Sequence, residues 1–144
     1  MDPAQASLLA KLDTQERVRD FLTNAVASGR ASHAYLFLGA PGAGKLDAAW
    51  ALAQAFLCEQ DGCGSCDSCV RVARHTHPDV HYYTPESATG YLIAQTRELL
   101  DDVPLAPIRA KAKVYIIDRA EQLRANTANA LLKTLEEPPE GVMF

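Results

Sequence analysis

The sequence predicts an α/β fold, a parallel sheet flanked by helices, on the strength of three observations. Apolar segments of strand length alternate along the chain with longer segments of helical spacing, an order typical of parallel sheets. Three of these short segments, 34–38, 80–83 and 113–118, are nearly continuous in apolar residues, as in strands covered on both faces. The chain has 144 residues, 48% of them hydrophobic, which is enough for one globular unit with its own core.

The first half of the chain predicts a helix, a strand and a second helix. Apolar residues follow helical spacing from Asp13 onward, and Glu16, three residues later, completes a capping-box pattern. The strand 34–38 leads directly into the glycine-rich segment 39–45. The stretch 47–57 is dense in Ala and Leu and predicts the second helix.

The second half alternates in the same way after a cysteine-rich segment. It predicts a short helix at 70–74, a strand at 80–83 and a helix at 91–103 that is closed by proline. A strand at 113–118, an amphipathic helix at 126–137 closed by two prolines, and the opening of a further strand at 142–144 follow. No repeat or low-complexity segment interrupts this order.

The glycine-rich segment has the composition of a phosphate-binding loop. Such a loop needs glycines that let successive backbone N–H groups face an anion, a helix N-terminus behind them, and a lysine for the outer phosphates. Gly39, Gly42, Gly44 and Lys45 supply these parts between a predicted strand and a predicted helix. The alternative is a glycine-rich turn with an incidental lysine, which the strand–loop–helix context disfavours.

Two positions of this motif differ from a nucleotide-hydrolysing site. Leu46 stands where a Ser or Thr hydroxyl would bind Mg²⁺. Asp118 ends a predicted strand, where an acid holds magnesium through water, but Arg119 replaces the glutamate that would activate the attacking water. We therefore expect little or no ATP hydrolysis, whereas weakened ATP binding through Lys45 and the glycine amides stays open.

All four cysteines lie in the segment 58–69. Four residues separate Cys58 from Cys63, and two residues separate Cys63 from Cys66 and Cys66 from Cys69. In a reducing compartment so dense a cluster indicates metal binding rather than disulfides, and four thiolates favour a structural zinc ion. An iron–sulfur cluster is the alternative, since ferredoxins have similar spacings, but the absence of proline after Cys69 favours zinc. Three nearby histidines are not needed as ligands: His75, His77 and His81.

Composition and the N-terminal segment restrict the class of protein further. The net charge of −4 excludes a surface that binds nucleic acid broadly, because duplex binding depends on Lys and Arg. The stretch Met1–Leu12 lacks the apolar core of a secretory signal, and no apolar run has membrane-spanning length. We expect a cytoplasmic protein with no membrane partner.

Four segments in this order resemble bacterial DNA polymerase III clamp-loader subunits, which are AAA+ proteins of the P-loop NTPase class. They are Ser32–Phe37, the cysteine insert, Lys113–Asp118 and Asn129–Pro139, and the resemblance covers Thr14–Phe144. It implies that residues 1–144 are the N-terminal part of an AAA+ ATPase-like domain, with the zinc module 58–69 inserted within it.

The resemblance also implies a branch of the family. Both the ATP-hydrolysing tau/gamma subunit and the delta-prime subunit carry the zinc insert. The segment Thr76–Asp79, with Tyr82 and Pro85 after it, resembles delta-prime, as do Leu46 and Arg119, since delta-prime commonly has a degenerate nucleotide site. A tau/gamma-type ATPase is the first alternative, and a small iron–sulfur or redox domain is the second.

A delta-prime subunit is implied to be a largely rigid member of the loader that opens the sliding clamp and places it on primed DNA. Its partners are the other loader subunits, tau/gamma and delta, and it reaches the clamp and DNA through the complex. In the family sheet the first strand lies beside the fourth, which here would begin at about Val142. We therefore expect an incomplete sheet with an unpaired edge at 34–38 and association or strand exchange there.

Overall fold

The computed structural model describes residues 7–144, and its sheet confirms the predicted parallel α/β architecture. Within that range three parallel strands pair in the order β1-β2-β3. Their bounds are β1 Val80–Tyr83, β2 Lys113–Ile117 and β3 Val142–Met143. Val80 lies opposite Val114, and Lys113 lies opposite Val142. The strands at 80–83 and 113–118 thus form where the apolar segments predicted them.

The described part of the chain contains five α-helices: three precede β1, one lies between β1 and β2, and one lies between β2 and β3. They are α1 Glu16–Ala27, α2 Lys45–Leu57, α3 Asp67–Ala73, α4 Ile93–Asp102 and α5 Ala125–Glu136. The predicted capping box at Asp13 is wrong, because α1 starts at Glu16 after Gln15, whose side chain makes no capping hydrogen bond. No helix in the range 7–144 combines the length and apolar character needed to cross a bilayer. The predicted absence of a signal in Met1–Leu12 falls partly on residues 1–6, outside the described residues.

The segment 34–38 departs from its prediction as a strand buried on both faces. Leu36 is 74% exposed and Leu38 is 84% exposed, and the segment is not a regular strand. Its beginning does pair with the chain beyond β3: Phe144 N donates to His33 O at 2.8 Å, and Tyr35 N donates to Phe144 O at 2.9 Å. Residues 36–38 have no neighbouring strand among the described residues, and only Phe37 of the three packs against the core, so Leu36 and Leu38 stay exposed.

Helices cover the sheet on both faces because successive side chains of β2 point in opposite directions. Val114 and Ile116 pack in a cluster with residues of α1, α2 and α3. Tyr115 packs on the other face with residues of α4 and α5. The glycine-rich loop leads into α2, and the cysteine segment connects α2 to α3, so both candidate sites lie at the ends of the same buried helix.

Candidate functional site

The glycine-rich loop is a tight turn at the N-terminus of α2. Gly42 and Gly44 have φ values of 82° and 91°, a left-handed conformation that L side chains rarely adopt. Gly44 immediately precedes α2, which begins at Lys45. The Lys45 Nζ donates to the Gly39 carbonyl at 2.8 Å, so the lysine folds back over its own loop. The turn therefore contains all four residues that the sequence singled out here: Gly39, Gly42, Gly44 and Lys45.

Leu46 follows the lysine in the first turn of α2. Its side chain is half-buried against the cluster that includes α2. It offers no oxygen to a cation, and its place in the apolar cluster explains why α2 accepts a leucine at this position. Asp47 follows on the exposed side of the first turn of α2, where a carboxylate is favoured by the helix dipole.

Asp118 follows β2 and is bonded to the end of β1. Its carboxylate Oδ2 accepts a hydrogen bond from the Tyr82 hydroxyl at 2.9 Å. Its backbone N donates to Tyr83 O at 2.9 Å, and its carbonyl accepts a hydrogen bond from the Tyr91 hydroxyl. Burial and the bond to Asp118 raise the pKa of Tyr82, which stays a protonated donor at neutral pH.

Arg119 follows this acid at the position where a hydrolysing site needs a general base, and an arginine cannot act as one. Its φ of 50° places it in the left-handed region, and its Nη2 donates to Thr84 Oγ1 at 2.9 Å. The residues here do not fit a magnesium–nucleotide complex. Leu46 supplies no ligand, and one oxygen of Asp118 is engaged by Tyr82.

The four cysteines form one compact group, and within residues 7–144 it is the group suited to hold a metal ion. Their Sγ atoms all lie within 4.8 Å of one another, and all four thiols are free of disulfides. The Sγ of Cys58 is 3.8 Å from that of Cys66, and the Sγ of Cys63 is 4.0 Å from that of Cys69. Ligands of a tetrahedral ion at a bond length of about 2.3 Å lie roughly 3.8 Å apart. The chain thus holds these sulfurs at the spacing of a single ion.

Backbone N–H groups point at the sulfurs, as expected for sites that hold thiolates. Cys63 N donates to Cys58 Sγ at 3.4 Å, Cys66 N donates to Cys63 Sγ at 3.3 Å, and Cys69 N donates to Cys66 Sγ at 3.4 Å. The N–H groups of Ser65 and Cys66 lower the pKa of the Cys63 thiol to about 6. Burial raises the pKa of Cys66 and of Cys69, so without a metal these two thiols stay protonated at neutral pH.

The cysteine segment is fastened to α2 and α3. Cys58 follows the last residue of α2, and the Cys66 side chain caps the N-terminus of α3. A Cβ at Gly62, whose φ is 96°, would lie 3.2 Å from the Cα of Ala55, so only glycine allows the segment to approach α2 this closely. Buried Gln54 adds a link, since its Nε2 donates to Cys69 O at 3.1 Å.

The three histidines near the segment lie outside the cysteine group, consistent with their exclusion as ligands. His75 stacks on Trp50 at 3.8 Å between ring centroids, and His81 stacks on Tyr115 at 5.0 Å. His77 is buried and accepts a hydrogen bond from Asp79 N at 3.0 Å through Nδ1.

Comparison with known proteins places the chain in a family. A sequence model of the family described as "DNA polymerase III, delta subunit" matches residues 14–144. The chain belongs to this family. It is 42% identical over 134 residues to the DNA polymerase III subunit delta' of Bacillus subtilis, covering 91% of this chain and 40% of that relative.

Relatives of a second kind, the tau and gamma/tau subunits, are about as similar to this DNA polymerase III family member as the delta' subunit is. It is 43% identical over 134 residues to subunit tau of Escherichia coli, covering 90% of this chain and 20% of the relative. It is 37% identical over 139 residues to subunit gamma/tau of Mycobacterium bovis, covering 94% of this chain and 24% of the relative. The chain thus spans two fifths or less of each of these relatives, and overall identity does not separate the two kinds.

Asp79 is a structural residue of this family member whose role sequence reasoning missed. It is completely buried, and its carboxylate accepts hydrogen bonds from three consecutive backbone N–H groups, those of Ile108, Arg109 and Ala110, at 2.5, 2.7 and 2.7 Å. An acid next to an apolar strand, in the segment Thr76–Asp79, was the available signal, but its partners lie about thirty residues away in sequence. Asp79 therefore holds the loop that enters β2.

A second missed cluster surrounds Asp102 at the end of α4. The buried Lys113 donates to Asp102 O at 2.5 Å, and the Tyr115 hydroxyl donates to Asp102 Oδ2 at 2.5 Å. His81 Nε2 lies 3.3 Å from the same carboxylate oxygen. These contacts satisfy a lysine that the sequence places at the start of a buried strand, and they make the cluster part of the fold rather than a second site.

Proposed function

We propose that this chain is the N-terminal part of a delta-prime-type clamp-loader subunit of DNA polymerase III that does not itself hydrolyse ATP. The proposal rests on the residues that occupy the two positions where a hydrolysing site needs a general base and a cation ligand. Arg119 occupies the place of the general base and is bonded to Thr84, and an arginine does not accept a proton at any ordinary pH. Leu46 removes the cation ligand as well. A subunit with these residues acts as a scaffold.

The proposed partners follow from the relatives, which are named as subunits of DNA polymerase III. We propose that the protein assembles with tau/gamma and delta subunits, in the cytoplasm, and reaches the sliding clamp and primed DNA through the complex. Residues 1–144 then belong to an AAA+ ATPase-like domain, and residues 58–69 form a module within it. The net charge of −4 is consistent with a subunit whose contacts are mainly with protein.

A steady-state ATP hydrolysis assay tests the proposal. The intact protein is assayed alone and in a reconstituted loader with clamp and primed DNA, as wild type and as Lys45→Ala. The proposal expects no hydrolysis by the protein alone and an unchanged rate for the loader that contains the variant. Hydrolysis by the protein alone that Lys45→Ala abolishes would instead identify a tau/gamma-type ATPase.

We further propose that the four cysteines hold one zinc ion. The support is the donor set of four thiols and the sulfur separations of 3.8 and 4.0 Å, which suit a single tetrahedral ion. A polynuclear iron–sulfur cluster carries its cysteines on different iron atoms and needs a wider arrangement than sulfurs within 4.8 Å of one another. Zinc here would join the ends of α2 and α3 without an open coordination position, so its role is structural.

Elemental analysis of freshly purified protein tests the zinc proposal. We expect one zinc per chain, no visible absorption band, and loss of the metal in Cys66→Ser. Glu59→Gln is a matched control on an exposed side chain of the same segment and should keep its zinc. A brown protein with stoichiometric iron would contradict the proposal and support the iron–sulfur alternative.

A further inference from the structure

Tyr82 connects the two parts of the phosphate-loop site. It lies on β1, and its hydroxyl donates to Asp118 Oδ2 at 2.9 Å, thirty-six residues further along the chain. Asp118 follows the neighbouring strand β2. An acid at this place can assist a cation only through oxygens that are free to accept bonds from the cation or its water. Tyr82 engages one of the two.

The position of the Tyr82 ring is set by α2. Its ring centroid lies 5.9 Å from that of Trp50, with the planes tilted by 37°. Trp50 is itself nearly buried and stacks on His75 at 3.8 Å with an angle of 9° between the planes. Tyr82 is 40% exposed, but the contact with Trp50 fixes its ring next to the helix that begins at Lys45. The hydroxyl is therefore held where it meets Asp118.

No neighbouring residue of the loop replaces the lost oxygen. Leu46 is a half-buried aliphatic side chain, and the Arg119 side chain is bonded to Thr84 and carries a positive charge. Both features oppose a divalent cation at this edge of the sheet.

We infer that Tyr82 lowers the metal dependence of this site: by engaging Oδ2 of Asp118 it takes one of the two carboxylate oxygens that could assist a divalent cation, so that Mg²⁺ contributes little to ligand binding at the loop. This deepens the proposed function and rests on its phosphate loop. Tyr82 is a positioning residue that acts through Asp118, and any phosphate at the loop meets only Lys45 and the backbone N–H groups.

Calorimetric titration of the intact protein with ATP tests the inference, with and without Mg²⁺. The magnesium-free buffer contains no chelator, so that the cysteine cluster is undisturbed. We compare wild type, Leu46→Thr, and Leu46→Thr combined with Tyr82→Phe. In wild type we expect Mg²⁺ to change the ATP affinity by less than about twofold. The double variant should gain about tenfold in affinity from Mg²⁺, and Leu46→Thr alone should gain much less.

Tyr83→Phe combined with Leu46→Thr is the matched control. Tyr83 is the next residue of β1, but its ring packs in the cluster on the other face of the sheet. This control should behave like Leu46→Thr alone. Magnesium dependence of about tenfold in wild type, or the same response with Tyr82 present and absent, would overturn the inference.

A double-mutant cycle tests the bond itself without any ligand. The unfolding equilibrium constants of Tyr82→Phe, Asp118→Asn and the pair are compared with wild type in urea. A hydrogen bond to a carboxylate predicts a coupling of roughly five- to tenfold between the two changes. Additive effects would overturn the inference, even in a protein that hydrolyses no ATP. Conversely, ATP hydrolysis by the wild type would contradict the proposed function. The double-mutant cycle would still test the bond between Tyr82 and Asp118, because it needs no ligand.

Discussion

At the scale of single residues, Asp79 shows how a buried charge is stabilised without a cation in contact. Its two carboxylate oxygens accept three backbone N–H groups of the loop before β2. Burial alone would raise the pKa of this carboxyl, but the N–H groups of Ala110, Ile108 and Arg109 outweigh burial, and its pKa is lowered. The charged form is therefore the one that the fold stabilises.

Asp79→Asn should destabilise the protein by about 2–4 kcal/mol, because a neutral amide accepts these bonds poorly and turns an NH₂ group toward N–H donors. Urea unfolding at neutral pH measures the change. Asp101→Asn, an exposed carboxylate on α4, is the control and should shift stability by less than about 0.5 kcal/mol. Equal stability of Asp79→Asn and wild type would show that the three bonds do not contribute as described.

The same residue predicts a pH dependence. Because the folded pKa of Asp79 is lowered, its contribution is present above the unfolded pKa of about 3.9 and is lost as pH falls through the folded pKa. Wild type should therefore lose stability more steeply than Asp79→Asn below about pH 4. Parallel stability curves of the two proteins in urea between neutral and acidic pH would contradict this.

At the scale of elements, the cysteine segment connects α2 to α3 and fixes the end of one helix to the start of the other. The α3 helix has only seven residues, too few for stability on its own, and its N-terminus is capped by a thiol of the cluster. Gln54 adds a buried bond between α2 and the Cys69 carbonyl. The helix pair therefore depends on the cluster for the placement of α3.

Removal of the proposed zinc ion should loosen α3 selectively. Hydrogen exchange after treatment with a chelator should show loss of protection in 67–73, because capping and anchoring are lost together. The α5 helix lies on the other face of the sheet and serves as an internal control, with unchanged protection. Uniform loss of protection in both helices would mean that the metal holds the whole fold. Unchanged protection in 67–73 would mean that the metal stabilises neither α3 nor the rest of the fold.

At the scale of the whole molecule, the sheet is covered on both faces but its edge beside β3 is open in the described chain. Leu36 and Leu38 project from a segment whose start pairs with Phe144 and whose remainder has no strand partner among residues 7–144. Apolar side chains next to unpaired backbone are a template for association with another strand. Association or strand exchange at 34–38 therefore stays a prediction, which an experiment on self-association can test.

We expect the 144-residue chain to self-associate at high concentration and Leu38→Lys to reduce this association. Since Leu38 is 84% exposed, the substitution should change the free energy of unfolding by less than about 0.5 kcal/mol. Leu132→Lys, which replaces a 51% exposed leucine on α5, should leave association unchanged. Light scattering that shows a monomer at all concentrations would contradict the prediction.

Sequence reasoning was accurate where the cause is local. The strands 80–83 and 113–118 and the helix between them follow from apolar spacing, and the nearness of the four cysteines follows from their separation by two to four residues. It failed at 34–38, because burial of a strand depends on neighbours from other parts of the chain. It also misplaced the start of α1, where Gln15 and not Asp13 precedes the first turn.

The sequence by itself determined the parallel α/β class, the turn at Gly42 and Gly44, and the compact cysteine group, because each depends on short-range spacing and backbone freedom. Only the tertiary structure decided what the isolated acids do. Asp118 meets Tyr82 across two strands, and Asp79 meets a loop about thirty residues away. A carboxylate takes its role from the donors that surround it, and those donors come together only when the strands pair.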